Sequence, residues 1–175
     1  MEPTEISNEM LKTEEGQLNA VYACFGAAAQ HAQHFEVALA EFLVTYNTVA
    51  KNKLTVPELD TLHERLGKRT MGVLLRELKK YVTIDHSGVD DCLEQALEAR
   101  NFLMHRYFRE REQGLSSEST RLEMMTELVH IGDTQETAAT FVRAMRIAFS
   151  RALENGVHQE ENTKAVFSIQ VALPD

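Results

Sequence analysis

Residues 17–51 have the sequence QLNAVYACFGAAAQHAQHFEVALAEFLVTYNTVAK. Apolar residues recur through this stretch at spacings of three and four, which is the period of one face of an α-helix. These positions are Val21, Cys24, Phe25, Ala28, Ala32, Phe35, Ala38, Leu39, Phe42, Leu43 and Tyr46. The small side chains of Ala27, Ala28 and Ala29 would let another helix approach closely. The stretch therefore predicts a long amphipathic helix in a helical protein.

Helix start and stop signals divide the next part of the chain. Pro57 lies in the first turn of a short predicted helix that Gly67 ends. Residues 68–81 have the apolar spacing of a further helix. Ser87 is a good N-cap, and Asp90 completes a variant of the capping box. We therefore expect a central helix to begin after Ser87.

The second half of the chain continues the helical pattern. The central helix is predicted to cover residues 88–113 without a break, because Gly114 is the first stop signal after it. A final long helix is predicted over residues 118–155. Gly132 either bends that helix or is accommodated within it, since an internal glycine costs only about 1 kcal/mol relative to alanine. Residues 165–171 alternate between apolar and polar, which predicts one short extended segment.

These elements predict an all-α fold. Four or five helices with short connections favour an antiparallel up-and-down bundle, followed by the short extended segment. We divide the chain into a polar leader (1–16), the bundle (17–155) and a tail (156–175). The sequence has no glycine-rich loop between a strand and a helix, so neither a P-loop nor a dinucleotide-binding fold is indicated.

Composition narrows the class of protein. The 175 residues are 43% hydrophobic, enough for one domain with a real core. No apolar run approaches the roughly 20 residues that span a bilayer. The first fifteen residues resemble no secretory signal, so we expect no membrane association and a cytoplasmic location. Cys24 and Cys92 fall within helical patterns and are expected to be small core residues, not a disulfide.

Charge is unevenly distributed along the chain. The net charge of −9 argues against a protein that coats nucleic acid. Residues 65–111 nevertheless contain ten Lys or Arg against seven Asp or Glu, a local net charge of +3. Such a region suits selective binding of one anionic target, and the alternative is the ordinary alternation of charges on helix surfaces.

The side chains best suited to catalysis lie close together in residues 99–108, which have the sequence ARNFLMHRYF. At about 100° per residue, Arg100 aligns with Met104 and Tyr107, whereas Asn101 aligns with His105. Asn101 could hold the His105 ring by a hydrogen bond. Arg100 and His105 point about 140° apart, so no single helix closes a site around both. The alternative is a solvated helix face that carries ordinary charges.

The run from Arg100 to His105 resembles the R-x4-6-H signature of the HEPN superfamily, including the polar Asn101 after the arginine. Tyr107 extends the similarity to the R-x4-H-x-Y form of HEPN toxins that pair with a nucleotidyltransferase antitoxin. The resemblance implies a homodimeric helical bundle and a metal-independent endoribonuclease, with a role as a toxin or an anti-phage effector. It also implies that the antitoxin nucleotidylates the tyrosine.

The resemblance assigns a role to each residue of the motif. His105 would transfer a proton or position the scissile phosphate, and Arg100 would bind the phosphate through its planar fork of donors. Asn101 would orient His105 or the substrate. Tyr107 would line the cleft, and together with Arg106 it would bind substrate or carry the modification. The alternative is a non-catalytic HEPN-like dimer that binds a nucleotide, RNA or a protein partner.

A second histidine pattern is weaker. His31 and His34 form an H-x-x-H pair, but a metal site needs further ligands. Glu36 and Glu41 are nearby in the sequence and complete no recognised pattern. We therefore expect no metal site and no cofactor.

Overall fold

The structure, a computed structural model, describes residues 10–50, 54–84, 87–154 and 165–167. These residues form six α-helices: α1 Glu14–Ala50, α2 Val56–Gly67, α3 Met71–Tyr81, α4 Ser87–His105, α5 Tyr107–Arg111 and α6 Glu118–Glu154. Two 3-10 turns, Met10–Lys12 and Glu112–Ser116, and two short strands, β1 Val82–Ile84 and β2 Ala165–Phe167, complete the described part. The prediction of an all-α bundle is confirmed.

Contacts between distant residues fix the direction of each helix. Gln17 is hydrogen-bonded to Arg121, and His31 is hydrogen-bonded to Glu136. The helices α1 and α6 therefore run parallel, and paired residues differ in number by 104 or 105. By contrast, Arg111 contacts Glu127 at one end and the Ala96 carbonyl accepts a bond from Gln135 at the other, so α4 and α5 run antiparallel to α6. Gly72 lies against Leu97 and Lys79 pairs with Asp90, so α3 runs antiparallel to α4. The chain thus goes up in α1 and α3, down in α4 and α5, and up in α6.

Local signals explain where α2 begins and ends. The backbone N–H of Thr55 donates to the Glu58 carboxylate at 2.8 Å, which forms half of a capping box, and Pro57 lies in the first turn. Gly67 is the last residue of the helix. The sequence predicted both the proline start and the glycine end.

The apolar side chains form two clusters along the bundle. One cluster joins the C-terminal half of α1 to α2, α3, the start of α4 and the second half of α6, with Phe35, Leu39 and Phe42 at its centre. The other joins the N-terminal half of α1 to the end of α4, α5 and the first half of α6, and it includes Leu103 and Tyr107. Cys24 and Cys92 are half-buried and pack against different clusters, Cys24 against the second and Cys92 against the first.

The prediction of an unbroken central helix is wrong. Helix α4 ends at His105, and Arg106 has the non-helical dihedral angles φ −132° and ψ −24° before α5 begins. Neither glycine nor proline causes this break. Directly after it, Tyr107 and Phe108 pack in the second apolar cluster, where the Phe108 ring lies 4.8 Å from the Phe25 ring. Tertiary packing has overridden local helix propensity at this point.

The expected extended segment is found at residues 165–167, and residues 168–171 lie outside the described part. Strand β2 pairs in parallel with β1, with Val82 opposite Ala165 and Ile84 opposite Phe167. Residues 82–84 form the other strand, for which we found no signal in the sequence. Parallel strands need a long connection between them, and α4 to α6 supply it.

None of the helices in the described segments combines the length and the apolar character that crossing a lipid bilayer requires.

Helix α6 is continuous through Gly132, which settles the choice that the sequence left open. A Cβ atom built on Gly132 would lie 3.7 Å from the Ala28 Cα atom and 3.4 Å from the Cδ2 atom of the His31 ring. The absence of a side chain therefore allows α1 and α6 to approach closely, and one methyl group still fits.

We expect Gly132→Ala to raise the free energy of unfolding by about 0.5–1 kcal/mol, because alanine lowers the entropic cost of helix formation. Gly132→Leu should lower it by about 1–3 kcal/mol, because the larger side chain must displace Ala28. Chemical denaturation followed by circular dichroism measures both variants. Equal destabilisation by the two would contradict the close packing described here.

Candidate functional site

Arg100 lies on the buried stripe of α4 and not on its solvent-facing side. Its helical neighbours on that stripe are Leu93, Ala96 and Leu103, all of which are buried. The Arg100 side chain is 22% exposed and lies where the bundle opens between the two apolar clusters. A cation at such a position needs a polar partner or access to solvent.

The opening is a cavity of about 420 Å³ bounded by α1, the end of α2, α3 and α4. Its walls are mainly apolar and include Ala32, Val37, Leu66, Leu74 and Met104. Arg100 and Met104 both line this cavity, as expected from their alignment on one face of the helix. A mostly apolar cavity with a few polar groups is the usual form of a small-molecule site.

Two side chains hold the Arg100 guanidinium group. Its Nη2 atom lies 3.8 Å from Oε2 of Glu36 on α1, and its Nη1 atom donates to Oδ1 of Asn101 at 3.3 Å. Asn101 thus contacts Arg100, whereas the sequence analysis paired it with His105. Sequence reasoning missed Glu36 as the partner of Arg100, because it lies on another helix at no periodic spacing from the motif.

His105 is exposed and is the last residue of α4. The five-residue separation turns His105 about 140° away from Arg100, and His105 is not among the residues that line the Arg100 cavity. The two side chains therefore face different surfaces of one copy of the chain.

Arg106 lies beyond the end of α4 and is exposed. Its Nη1 atom lies 3.6 Å from Oε1 of Glu110, and its guanidinium carbon lies 5.4 Å from the centre of the Phe102 ring. Arg106 also lines a shallow groove between α4 and α6 that includes His130. Its charge is therefore available at the same end of α4 as His105.

Tyr107 occupies a different position from the cleft-lining one that the resemblance implied. The residue is 1% exposed, and its hydroxyl donates to the backbone carbonyl of Met124 on α6 at 3.1 Å. Burial, followed by the nearby Glu127 carboxylate, raises the pKa of the phenol, so it stays protonated at physiological pH. In this conformation the hydroxyl is directed into the core and holds α5 against α6.

Models of known protein families, curated proteins and solved structures were all compared with this chain, and none matches.

We expect Tyr107→Phe to lower the free energy of unfolding by about 1 kcal/mol, because it removes one buried hydrogen bond and keeps the packing of the ring. Urea denaturation measures the change. Tyr22→Phe is a matched control, because the Tyr22 side chain is half exposed at the surface of the same cluster. A Tyr107 variant as stable as the wild type would mean that the hydroxyl does not stabilise this packing.

Proposed function

We propose that the chain is a metal-independent endoribonuclease of the HEPN type that acts as a cytoplasmic homodimer, with Arg100 and His105 as catalytic residues. The observation that carries the proposal is the placement of this pair on one helix of an all-helical bundle. Both side chains reach solvent, but they point about 140° apart. One copy leaves the set incomplete, and a second copy facing α4 would complete it.

The reaction uses the nucleophile that RNA already carries. The 2′-oxygen forms a bond to phosphorus while the bond from phosphorus to the 5′-oxygen breaks, which yields a 2′,3′-cyclic phosphate and a 5′-hydroxyl. A proton leaves the 2′-hydroxyl and another is delivered to the 5′-oxygen, and an exposed imidazole such as His105 suits either transfer. Arg100 would stabilise the charge that develops on the phosphate oxygens.

A phosphate that binds Arg100 must first displace the Glu36 carboxylate. The 3.8 Å separation and the partial exposure of both side chains make this a weak ion pair, worth less than about 1 kcal/mol. A phosphate can therefore replace the carboxylate at small cost. Asn101 would keep the guanidinium oriented during the exchange, since its amide oxygen accepts from a different nitrogen of Arg100.

Exposed apolar side chains beside the cavity provide a surface for the second copy. Val37 on α1 is 54% exposed and Met104 on α4 is 47% exposed, and both line the Arg100 cavity. Met104 immediately precedes His105 in the sequence. A dimer contact here would cover apolar surface and bring the Arg100 of one copy towards the His105 of the other.

A nucleotidyltransferase partner and a role as a toxin or an anti-phage effector belong to the same proposal. Modification of Tyr107 by such a partner requires the hydroxyl to leave the Met124 carbonyl. Nucleotidylation would therefore also loosen α5 from α6, next to His105 at the end of α4. Such a modification would act on the site through the position of His105.

The cavity favours a second candidate, a non-catalytic dimer that binds a nucleotide. Its volume of about 420 Å³ lies within the range of small-molecule sites. Its apolar walls suit a base, and Arg100 at its edge suits a phosphate. This candidate does not need His105, which faces another surface.

Mutation of the motif distinguishes the two candidates. We expect purified wild-type protein to cleave RNA in the presence of EDTA, and we expect His105→Ala to reduce the rate at least about a hundredfold, because proton transfer is lost. Arg100→Ala should reduce it similarly, whereas His63→Ala should not, because His63 is exposed on α2. Gel analysis of a labelled RNA and detection of the cyclic phosphate measure the reaction.

Cleavage that survives both the His105 and the Arg100 substitutions would overturn the ribonuclease proposal. A wild-type protein that does not cleave RNA but binds a nucleotide, with binding lost in Arg100→Ala and retained in His105→Ala, would establish the second candidate.

The dimer surface has its own test. We expect Val37→Glu to convert dimers to monomers and to reduce cleavage, because a charge cannot be buried without a partner. Val129→Glu is a matched control, since Val129 on α6 is also 54% exposed. Sedimentation equilibrium gives the mass of each variant. A dimer that is unchanged by Val37→Glu would place the interface elsewhere.

A further inference from the structure

Three potential ligand atoms from two helices meet on the side of α1 that faces α6. The Nδ1 atom of His31 lies 3.1 Å from Oε2 of Glu136, and the Nδ1 atom of His34 lies 3.8 Å from the same oxygen. The three residues offer ligand atoms that all lie within 4.8 Å of one another. The sequence supplied the two histidines but not the third ligand, which is 105 residues from His31.

These separations match the dimensions of a metal site. A zinc ion lies about 2.1 Å from each nitrogen or oxygen ligand in tetrahedral geometry, which places neighbouring ligand atoms about 3.4 Å apart. The two distances to Glu136, 3.1 Å and 3.8 Å, fall on either side of this value. The ligand atoms of all three residues lie within 4.8 Å of one another, so shifts of the side chains could bring them around one ion.

The surroundings hold the ligands in place. Arg143 donates from Nη1 to Oε1 of Glu136 at 2.9 Å, which leaves Oε2 directed at the two imidazoles. Partial burial raises the pKa of Glu136, but hydrogen bonds from Arg143 and His31 outweigh it and lower the pKa, so the carboxylate is ionised. Gly132 has no side chain to fill the space beside the His31 ring. Groups that orient metal ligands in this way are typical of metal sites.

We propose that His31, His34 and Glu136 bind one zinc ion, with solvent in the fourth position. Two imidazole nitrogens and one carboxylate oxygen suit zinc and similar divalent transition metals, whereas calcium and magnesium prefer oxygen ligands alone. The three side chains are 39%, 44% and 41% exposed, so an ion and its water can enter from solvent. The ion would join the middle of α1 to the middle of α6.

This site is separate from the proposed ribonuclease site. His31 and His34 lie about 140° and 160° around α1 from Glu36, which contacts Arg100. The ion would thus lie on the opposite side of the helix from the Arg100 cavity. Zinc binding can be present or absent whichever function the Arg100 site has, and its expected effect is on the stability of the native state.

The decisive variant is His34→Ala. The 3.8 Å between His34 and Glu136 exceeds a hydrogen-bond length, so the metal-free fold depends little on this contact. His31→Ala and Glu136→Gln remove the other ligands, and His63→Ala together with Glu123→Gln are controls at exposed positions. The protein is prepared without a histidine tag and is freed of metal by a chelator before each titration.

Isothermal titration with zinc chloride measures binding. We expect one ion per chain at micromolar concentrations, and we expect each ligand variant to weaken binding by at least about tenfold. Both controls should bind as the wild type does. Cobalt ion should give the visible absorption of a site with nitrogen and oxygen ligands, and this absorption should be lost in His34→Ala. Zinc should raise the melting temperature of the wild type and not that of His34→Ala.

Binding that is equally strong in the ligand variants and the controls would overturn the proposal, because the ion would then bind elsewhere. The absence of zinc binding by the wild type would also overturn it, and the three side chains would then form only hydrogen bonds between α1 and α6. Circular dichroism of each metal-free variant confirms that the helices are intact, so a loss of binding can be assigned to the loss of a ligand.

Discussion

The parallel packing of α1 against α6 is the constraint on which the other helices depend. Each of the two helices has 37 residues, and their contacts extend over almost the whole bundle. At one end the buried Arg121 donates to Oε1 of Gln17 at 2.9 Å and to the Leu115 carbonyl at 2.8 Å. At the other end Phe42 and Phe149 pack with ring centres 6.1 Å apart. The shorter helices cover the two apolar clusters that this pair leaves on one side.

The same constraint accounts for the environment of the motif. Helix α4 must pack on both clusters, and Gln135 of α6 fixes its middle by donating to the Ala96 carbonyl at 2.7 Å. Arg100 falls one turn later, in the gap between the clusters, where a cavity remains. Tyr107 then enters the second cluster, directly after the helix break at Arg106. The directions of Arg100 and His105 are thus consequences of how α4 bridges the two parts of the core.

Local patterns predicted the helices but not the contacts between them. Pro57 and Gly67 mark α2 correctly because their effects act within a few residues, and the apolar spacing of α1 and α6 is strong enough to reveal two long helices. The break after His105 was not predictable, because neither glycine nor proline marks it, and Tyr107 just after it bonds to Met124, far along the chain. Glu36 and Glu136 were missed for the same reason. Each becomes a partner only through the packing of two helices, and a single sequence carries no periodic signal for that.

The constant offset between α1 and α6 has a mechanical consequence. An offset of 104 or 105 residues relates the pair Gln17 and Arg121 to the pairs His31 and Glu136, and Glu41 and Arg146. A slide of one helix past the other by one turn, about 5.4 Å, would separate all of these pairs at once. A shift of less than one turn would not restore these pairs. We therefore expect the two helices to keep their register over a shared length of roughly 55 Å. The register of the two helices is therefore set at several points along their length and not at one end alone.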